Sequence, residues 1–397
     1  MVNLARFRPK IAPAGPMSKR IYCTVTNDLT YDQRMIRICT SLSRAGYDVV
    51  LVGRQEPDSI PLVPRIFRQR RLRLLFRKGK LFYLEYNLRL FFYLLFRKMD
   101  VLCAIDLDTI VPCYFVSALR RIPRVYDAHE LFCEMKEVVS RPIIHKIWKT
   151  VEKIFVPAFR NGYTVNGQIA AEFERMYGVH YEVIRNAPVL QPLPEPPPPS
   201  SDTERSSAGP SPDDRFILYQ GAVNEGRCFE SLIPAMAQVD AKLVICGKGN
   251  FMEEARRLVK DHGLEEKVLF KGPVPPEELR AITRTAWCGI TLFEKSGMSN
   301  YYSLANRFFD YMHAGIPQLA MNYPAYREIN NYSPIAVLID VPDIQQVAAA
   351  LGSLLNNTDL YRTLQGNCRK ASAYFNWQEE EKKLVRVYQK IFNSHGG

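Results

Sequence analysis

The run NYYSLANRFFDYMHAGIP, residues 300–317, holds a polar loop, an amphipathic helix and a chain-stopping turn. Leu304, Phe308, Tyr311 and Met312 recur at helical spacing and share one buried face, while Asn306, Arg307 and Asp310 fall elsewhere on the cylinder. Gly315 and Pro317 end the helix. The apolar run at 318–321 then has the length of a buried strand. Such a unit opens a helix N-terminus above a sheet, a natural place for an anion.

Outward from it, strands are expected at 216–220, 242–246, 268–271, 288–293 and 335–339. Helical patterns such as Phe229, Leu232, Ile233 and Met236 fill most of the gaps, which gives a doubly wound α/β domain. Two strand-end loops stand out. In residues 221–227, GAVNEGR, Gly221 and Gly226 permit close backbone approach and Arg227 can fork onto a phosphate. Gly247 and Lys248 open a second turn of the same kind.

The first half repeats the plan. Residues 21–26 read as a strand, and Tyr31, Met35, Ile38, Leu42 and Ala45 mark one face of a helix that Gly46 stops. Residues 48–53, DVVLVG, form a second strand. Ligands of open parallel sheets bind outside the carboxyl ends of strands, so Asn27, Asp28, Asp32 and Arg34 are expected at or near a cleft; Asp28 or Thr30 would equally serve as a helix cap. The strand at 101–105 runs into Asp106-Leu107-Asp108-Thr109, where Asp108 suits an N-cap and the Asp-x-Asp spacing also suits a divalent ion. The strand at 124–127 runs into Ala128-His129-Glu130, a histidine beside a carboxylate at a strand end.

The chain has 397 residues, 47% of them hydrophobic, more than one core usually serves, so two domains are expected. The formal charge of +12 is concentrated: residues 65–98 hold eleven Lys or Arg against one acid, Glu85. Leu81 to Phe96 within that segment reads as a largely apolar helix, and the combination suits an anionic membrane surface, an RNA or a plain packed helix with solvated charges. Nine scattered cysteines without a C-x-x-C pair indicate reduced thiols and a cytoplasmic chain. Neither a signal peptide nor a membrane-spanning stretch is evident. The expected layout is a disordered basic tail at 1–17, a first domain at 18–188, a linker at 189–214 rich in proline, a second domain at 215–375 and a terminal helix at 376–397.

Several of these motifs resemble, in order, those of the retaining glycosyltransferases of group 1, of bacterial surface-polysaccharide type. The 300–317 run resembles that family's donor-site signature, with Ser303, Asn306, Arg307, Asp310, Tyr311, Gly315 and Pro317 at matching places; Ala305 replaces a usual proline and Asp310 a usual glutamate. DAHE at 127–130 resembles the family's DxHE loop, IRNAP at 184–188 the close of its first domain, and 221–228 its "G.l..gRG" loop, with Cys228 in place of the last glycine.

The resemblance implies a GT-B-like fold, two Rossmann-like domains facing a central cleft. It implies transfer of a sugar from a nucleotide-diphosphate sugar to a glycan or lipid-linked acceptor with retention of configuration, with no cofactor and no obligatory metal. Gly221, Gly247, Lys248, Ser303, Leu304, Asn306, Arg307 and Asp310 would then hold the donor. Asn27, Asp28, Asp32, Arg34, Asp106 and Asp108 would line the acceptor side, and His129, Glu130 and Arg227 would take part in catalysis. Glu130 would position the acceptor hydroxyl or orient the imidazole. The terminal helix would cross back to the first domain. Other readings are a nucleotide-sugar epimerase or hydrolase of related architecture, and a non-catalytic membrane-surface adaptor.

Overall fold

The computed structural model describes residues 18–191 and 215–394. The expected tail at 1–17 and nearly all of the expected linker lie outside the described residues. The chain divides into two compact units, one formed by the residues up to Asn186 together with those from Glu379 onward, the other by Ala187–Gln378.

The first unit is built on seven parallel strands: β1 (Arg20–Thr24), β2 (Asp48–Gln55), β3 (Arg68–Arg73), β4 (Val101–Ile105), β5 (Arg124–Ala128), β6 (Asn161–Thr164) and β7 (Glu182–Val183). Their order is β3-β2-β1-β4-β5-β6-β7. β1 and β4 are buried over almost every residue because helices cover both faces of a parallel sheet. The helix Gln33–Arg44 starts where the Asp32 carboxylate accepts from Met35 N at 2.9 Å, and it buries Met35, Ile38 and Leu42 completely. Each such side chain stabilises the unit by about 1.5–3 kcal/mol. Tyr31 precedes that cap and is 70% exposed, so it does not share the buried face expected of it.

β3 is not visible as a strand in the sequence, since RQRRLR lacks an apolar alternation. It pairs in register with β2 from Val50↔Arg68 to Gln55↔Arg73 and sits at the sheet's edge, where basic side chains discourage further strand addition. The helix Trp377–Ser394 contributes its residues from Glu379 to this unit. Glu380 accepts from Arg185 N at 3.0 Å, Tyr388 lies against Tyr163, and Phe392 stacks on Tyr47.

The second unit has six parallel strands, β8 (Phe216–Gln220), β9 (Lys242–Cys246), β10 (Val268–Gly272), β11 (Cys288–Thr291), β12 (Gln318–Met321) and β13 (Ala336–Ile339), in the order β10-β9-β8-β11-β12-β13. Both sheets therefore reverse direction once, between β1 and β4 and between β8 and β11. A doubly wound sheet opens a ligand crevice at such a point, because the loops on either side diverge to opposite faces. The helix expected from the 300–317 run spans Asn306–Ala314 and ends at Gly315, whose φ of +73° closes it in the left-handed conformation. All nine cysteines are buried and unpaired to one another.

Candidate functional site

In the first unit the reversal point carries a cluster of ionisable groups. His129, just beyond β5, donates Nε2 to Asp127 and Nδ1 to Asp106, each at 3.1 Å. Asp106 reaches the imidazole because its own backbone is in the left-handed region, φ +55°, and its second oxygen accepts from His129 N at 2.9 Å. Burial opposes a charge on the ring, but the two carboxylates outweigh it and hold the His129 pKa well above its usual value. His129 is thus an imidazolium with both nitrogens engaged, a fixed positive charge and a poor general base. Asp127 is wholly buried, and although burial alone would raise its pKa, Arg34 at 2.7 Å and His129 keep it below the usual range.

Arg34 is accordingly a buried partner of Asp127 and of Ile184 O, behind the cleft, not at its surface. The small cleft, about 60 Å³, is lined by Thr26, Asn27, Asp32, Asp106, Asp108 and His129 with Val25 and Ile105. Asn27 donates to Asp32 at 2.6 Å. Asp28 turns away to Thr30, Ser59 and Arg71. Asp108 does not cap a helix with its side chain; it accepts from Thr26 Oγ1 at 2.5 Å. Burial first, then the neighbouring Asp106, raises its pKa to about 7. Among the described residues no three or more His, Cys, Asp or Glu side chains converge as a metal-ligand set.

In the second unit the crevice lies beside Gly221. Its φ is +124° and Gly247 packs directly on its backbone, so that a Cβ at Gly247 would collide with the Gly221 carbonyl. The next loop runs to Cys228, which adopts φ +59°, the conformation a glycine would take freely. Arg227 places its guanidinium 4.4 Å from the centre of the Phe293 ring. Arg307, in the first turn of the helix Asn306–Ala314, is 7% exposed and lies 4.7 Å from the same ring and 4.6 Å from Tyr219. Its Nη1 donates to Tyr219 Oη and Gln220 O, and its buried Nε and Nη2 have no hydrogen-bond partner among the described residues.

One turn further on, Asp310 accepts from Gln220 Nε2 at 2.9 Å, and Gln220 in turn accepts from Thr283 at 2.8 Å. Ser303 donates to Asn300 O and closes the loop before the helix, Leu304 packs into the core, Asn306 is exposed at the helix start, and Lys248 is exposed on its turn. Two guanidinium groups therefore lie against one aromatic ring beside a glycine turn, an arrangement suited to a phosphate-bearing ligand.

Several participants were not singled out as site residues from the sequence. Asp127 looked like the end of a strand rather than a partner of His129. Phe293 looked like core. Glu294 and its neighbours Ser296 and Asn300 bring side chains around Gly226, with Glu294 N donating to Gly226 O at 3.0 Å. Their position beyond a parallel strand, the signal that singled out His129, applies to them as well.

Residues 33–188 match the family model Glycosyltransferase Family 4, and residues 200–371 match Glycosyl transferases group 1. An uncharacterized glycosyltransferase of Methanocaldococcus jannaschii is 23% identical over 192 residues, 47% of each chain, so the chain spans about half the length of the curated relatives it matches. The fold is similar to that of sucrose-phosphate synthase from Thermosynechococcus elongatus, with TM-score 0.76 at 18% identity over 95% of this chain and all of that one. It is also similar to Anabaena HepE in complex with UDP-glucose, with TM-score 0.70 at 12% identity over 94% and 99%. With two family models of glycosyltransferases that together span most of its length, the second of them group 1 over residues 200–371, the chain belongs to the glycosyltransferases.

Proposed function

We propose that this protein transfers a sugar from a nucleotide-diphosphate sugar to a hydroxyl of a glycan or lipid-linked acceptor, with retention of configuration and without a cofactor or an obligatory metal. The observation that carries this reading is Arg307, a buried guanidinium with two unpartnered nitrogens beside the Gly221 turn. Leaving such groups unsatisfied costs about 1–3 kcal/mol each, more when charged, and an anionic ligand removes that cost. Binding of UDP-glucose by the structurally similar HepE supports a nucleotide sugar as that anion.

In this mechanism Asp310, held by Gln220, accepts from the ribose hydroxyls. Arg307 and Arg227 meet the diphosphate. As the glycosidic bond breaks, negative charge grows on the leaving diphosphate, and two preplaced cations stabilise it more in the transition state than in the ground state. In the first unit Asn27, Asp32, Asp106 and Asp108 receive the acceptor. His129 supplies a fixed positive charge, and Glu130 is assigned to the acceptor side of that loop. Residues 65–98 hold the enzyme on an anionic membrane at the cytoplasmic face; among the described residues no helix is long and apolar enough to cross one.

The experiment is incubation with a panel of nucleotide sugars, with and without acceptor glycans, followed by NMR of the product's anomeric proton. Acceptor-dependent product with the donor's own anomeric configuration is expected. Conversion of the nucleotide sugar at full rate without any acceptor would replace transfer by epimerisation or hydrolysis, and an inverted product would remove retention.

A further inference from the structure

A second cavity of the first unit lies away from the reversal point. It lies along the edge strand, has a volume of about 620 Å³, and is walled by Arg70, Arg71 and Arg73 of β3, Gln55 of β2, and Arg89 and Phe92 of the helix Gly79–Leu95. That volume is in the range of small-ligand sites.

Its charges are unevenly compensated. Arg89 pairs with Glu85 at 2.7 Å, and Arg71 lies 3.7 Å from Asp28 while donating to Thr30 Oγ1 at 2.7 Å. Arg73 makes a long 3.4 Å contact with the neutral Gln55, and among the described residues neither it nor Arg70 forms an ion pair. Two guanidinium charges are therefore left over at one cavity. A phosphomonoester, close to a dianion near neutral pH, balances them, and its oxygens accept from the guanidinium fork.

The helix that forms one wall says where that phosphate is attached. Its inner face, Phe82, Tyr86, Leu90 and Leu94, is buried. Its outer face is also apolar: Leu81, Leu84, Leu88 and Phe92 are each more than half exposed and follow one another along a stripe. A helix that is hydrophobic on both sides yet covered on only one presents a face suited to an acyl-chain boundary. The stripe begins beside a loop, 74–78, that Glu85 fixes by accepting from Leu75 N and Phe76 N.

We infer that this arginine-walled cavity is a headgroup site for a phosphomonoester lipid of the bilayer, with the Leu81 to Phe92 stripe lying against its chains. The inference rests on the membrane contact proposed above and sharpens it from diffuse attraction to a built site. A diffuse polybasic surface responds to total negative charge; a cavity with two surplus guanidinium groups responds to the chemistry of the phosphate.

The test is co-sedimentation of the full chain with phosphatidylcholine vesicles carrying either phosphatidic acid or phosphatidylglycerol, adjusted to equal surface charge. Binding to phosphatidic acid is expected to be on the order of tenfold stronger, because a phosphomonoester headgroup can accept from both surplus guanidinium groups at once. Arg70→Ala with Arg73→Ala should erase that preference and leave the weaker binding to both, and their melting temperature should stay that of wild type. Leu88→Ser with Phe92→Ser should weaken both. Equal binding of wild type to the two vesicles, or a preference that survives the arginine changes, overturns the headgroup site and leaves diffuse contact standing. Absence of binding to any anionic vesicle overturns both. Stabilisation by inorganic diphosphate that depends on Arg70 and Arg73, without vesicle binding, would make the ligand a soluble anion and overturn the lipid assignment.

Discussion

Arg307 lies over the ring of Tyr219, 4.6 Å from its centre, and donates Nη1 to the hydroxyl of that same tyrosine at 3.1 Å. The phenol fixes the plane of the guanidinium while leaving its other nitrogens unused, so the group is oriented before any ligand arrives. Preorganisation of this kind is what lets a cation act on a developing charge without rearrangement.

Arg227 and Asp310 should separate in kinetics. In the proposed mechanism Asp310 contacts a part of the donor that does not change during the reaction, so Asp310→Ala is expected mainly to raise KM, by about 1.5–3 kcal/mol of lost binding. Arg227→Ala should lower kcat by on the order of a hundredfold. Asp310→Glu, with its longer reach, should keep activity. Steady-state rates on folded variants decide this, and equal effects on kcat from both alanine variants would contradict the assignment.

Asp108 gives the stability curve a definite sign. Its folded-state pKa, raised to about 7, lies above its unfolded value of about 3.9. The folded chain therefore holds this proton more tightly, and its contribution is full below about pH 4 and is lost as pH climbs to about 7. Asp108→Asn keeps the shape without the charge, so its melting temperature should exceed wild type by several degrees more at pH 8 than at pH 5, on the order of 2–4 °C per kcal/mol recovered. The same difference at both values would refute the burial account.

His129 behaves otherwise. Its raised pKa means that its contribution to stability is full below about pH 6.5 and fades only as pH rises through its higher folded value. A rate profile in the first unit's acceptor reaction should thus show no inflection near 6.5 that His129→Gln removes.

Activity should persist in EDTA. Asp106 is taken up by His129 and Asp108 by Thr26, and in the proposed mechanism the diphosphate meets Arg227 and Arg307 instead. Turnover that is lost in the chelator and returns with magnesium or manganese would assign the two aspartates to a metal.

How much of this was legible follows from where each signal lies along the chain. β4, β8, β9 and β12 were readable to the residue because buried parallel strands are unbroken apolar runs. β3 was hidden because an edge strand need not be apolar, and its arginines read as a solvated charge run. His129 could be marked from its place after a strand, but its charge state could not, since Asp106 and Asp127 reach it from different strands and Arg34 from a helix. Arg307 was placed among the donor-holding residues, off the buried face of its helix. Only the packing of Tyr219 and Phe293 around it shows that it is buried and incompletely paired.

The decisive measurement is titration of nucleoside diphosphates into wild type and Arg307→Met, with melting temperatures recorded in parallel. Methionine fills similar space and removes the orphaned nitrogens while forfeiting the contacts to Tyr219 and Gln220, so free stability should change by no more than about 2 kcal/mol. Wild type should be stabilised by about 2.7 kcal/mol at a hundred times the dissociation constant of its nucleotide, and Arg307→Met should lose most of that binding. A folded Arg307→Met that binds nucleotide as tightly as wild type, or a wild type that binds none, would contradict a donor site built on Arg307.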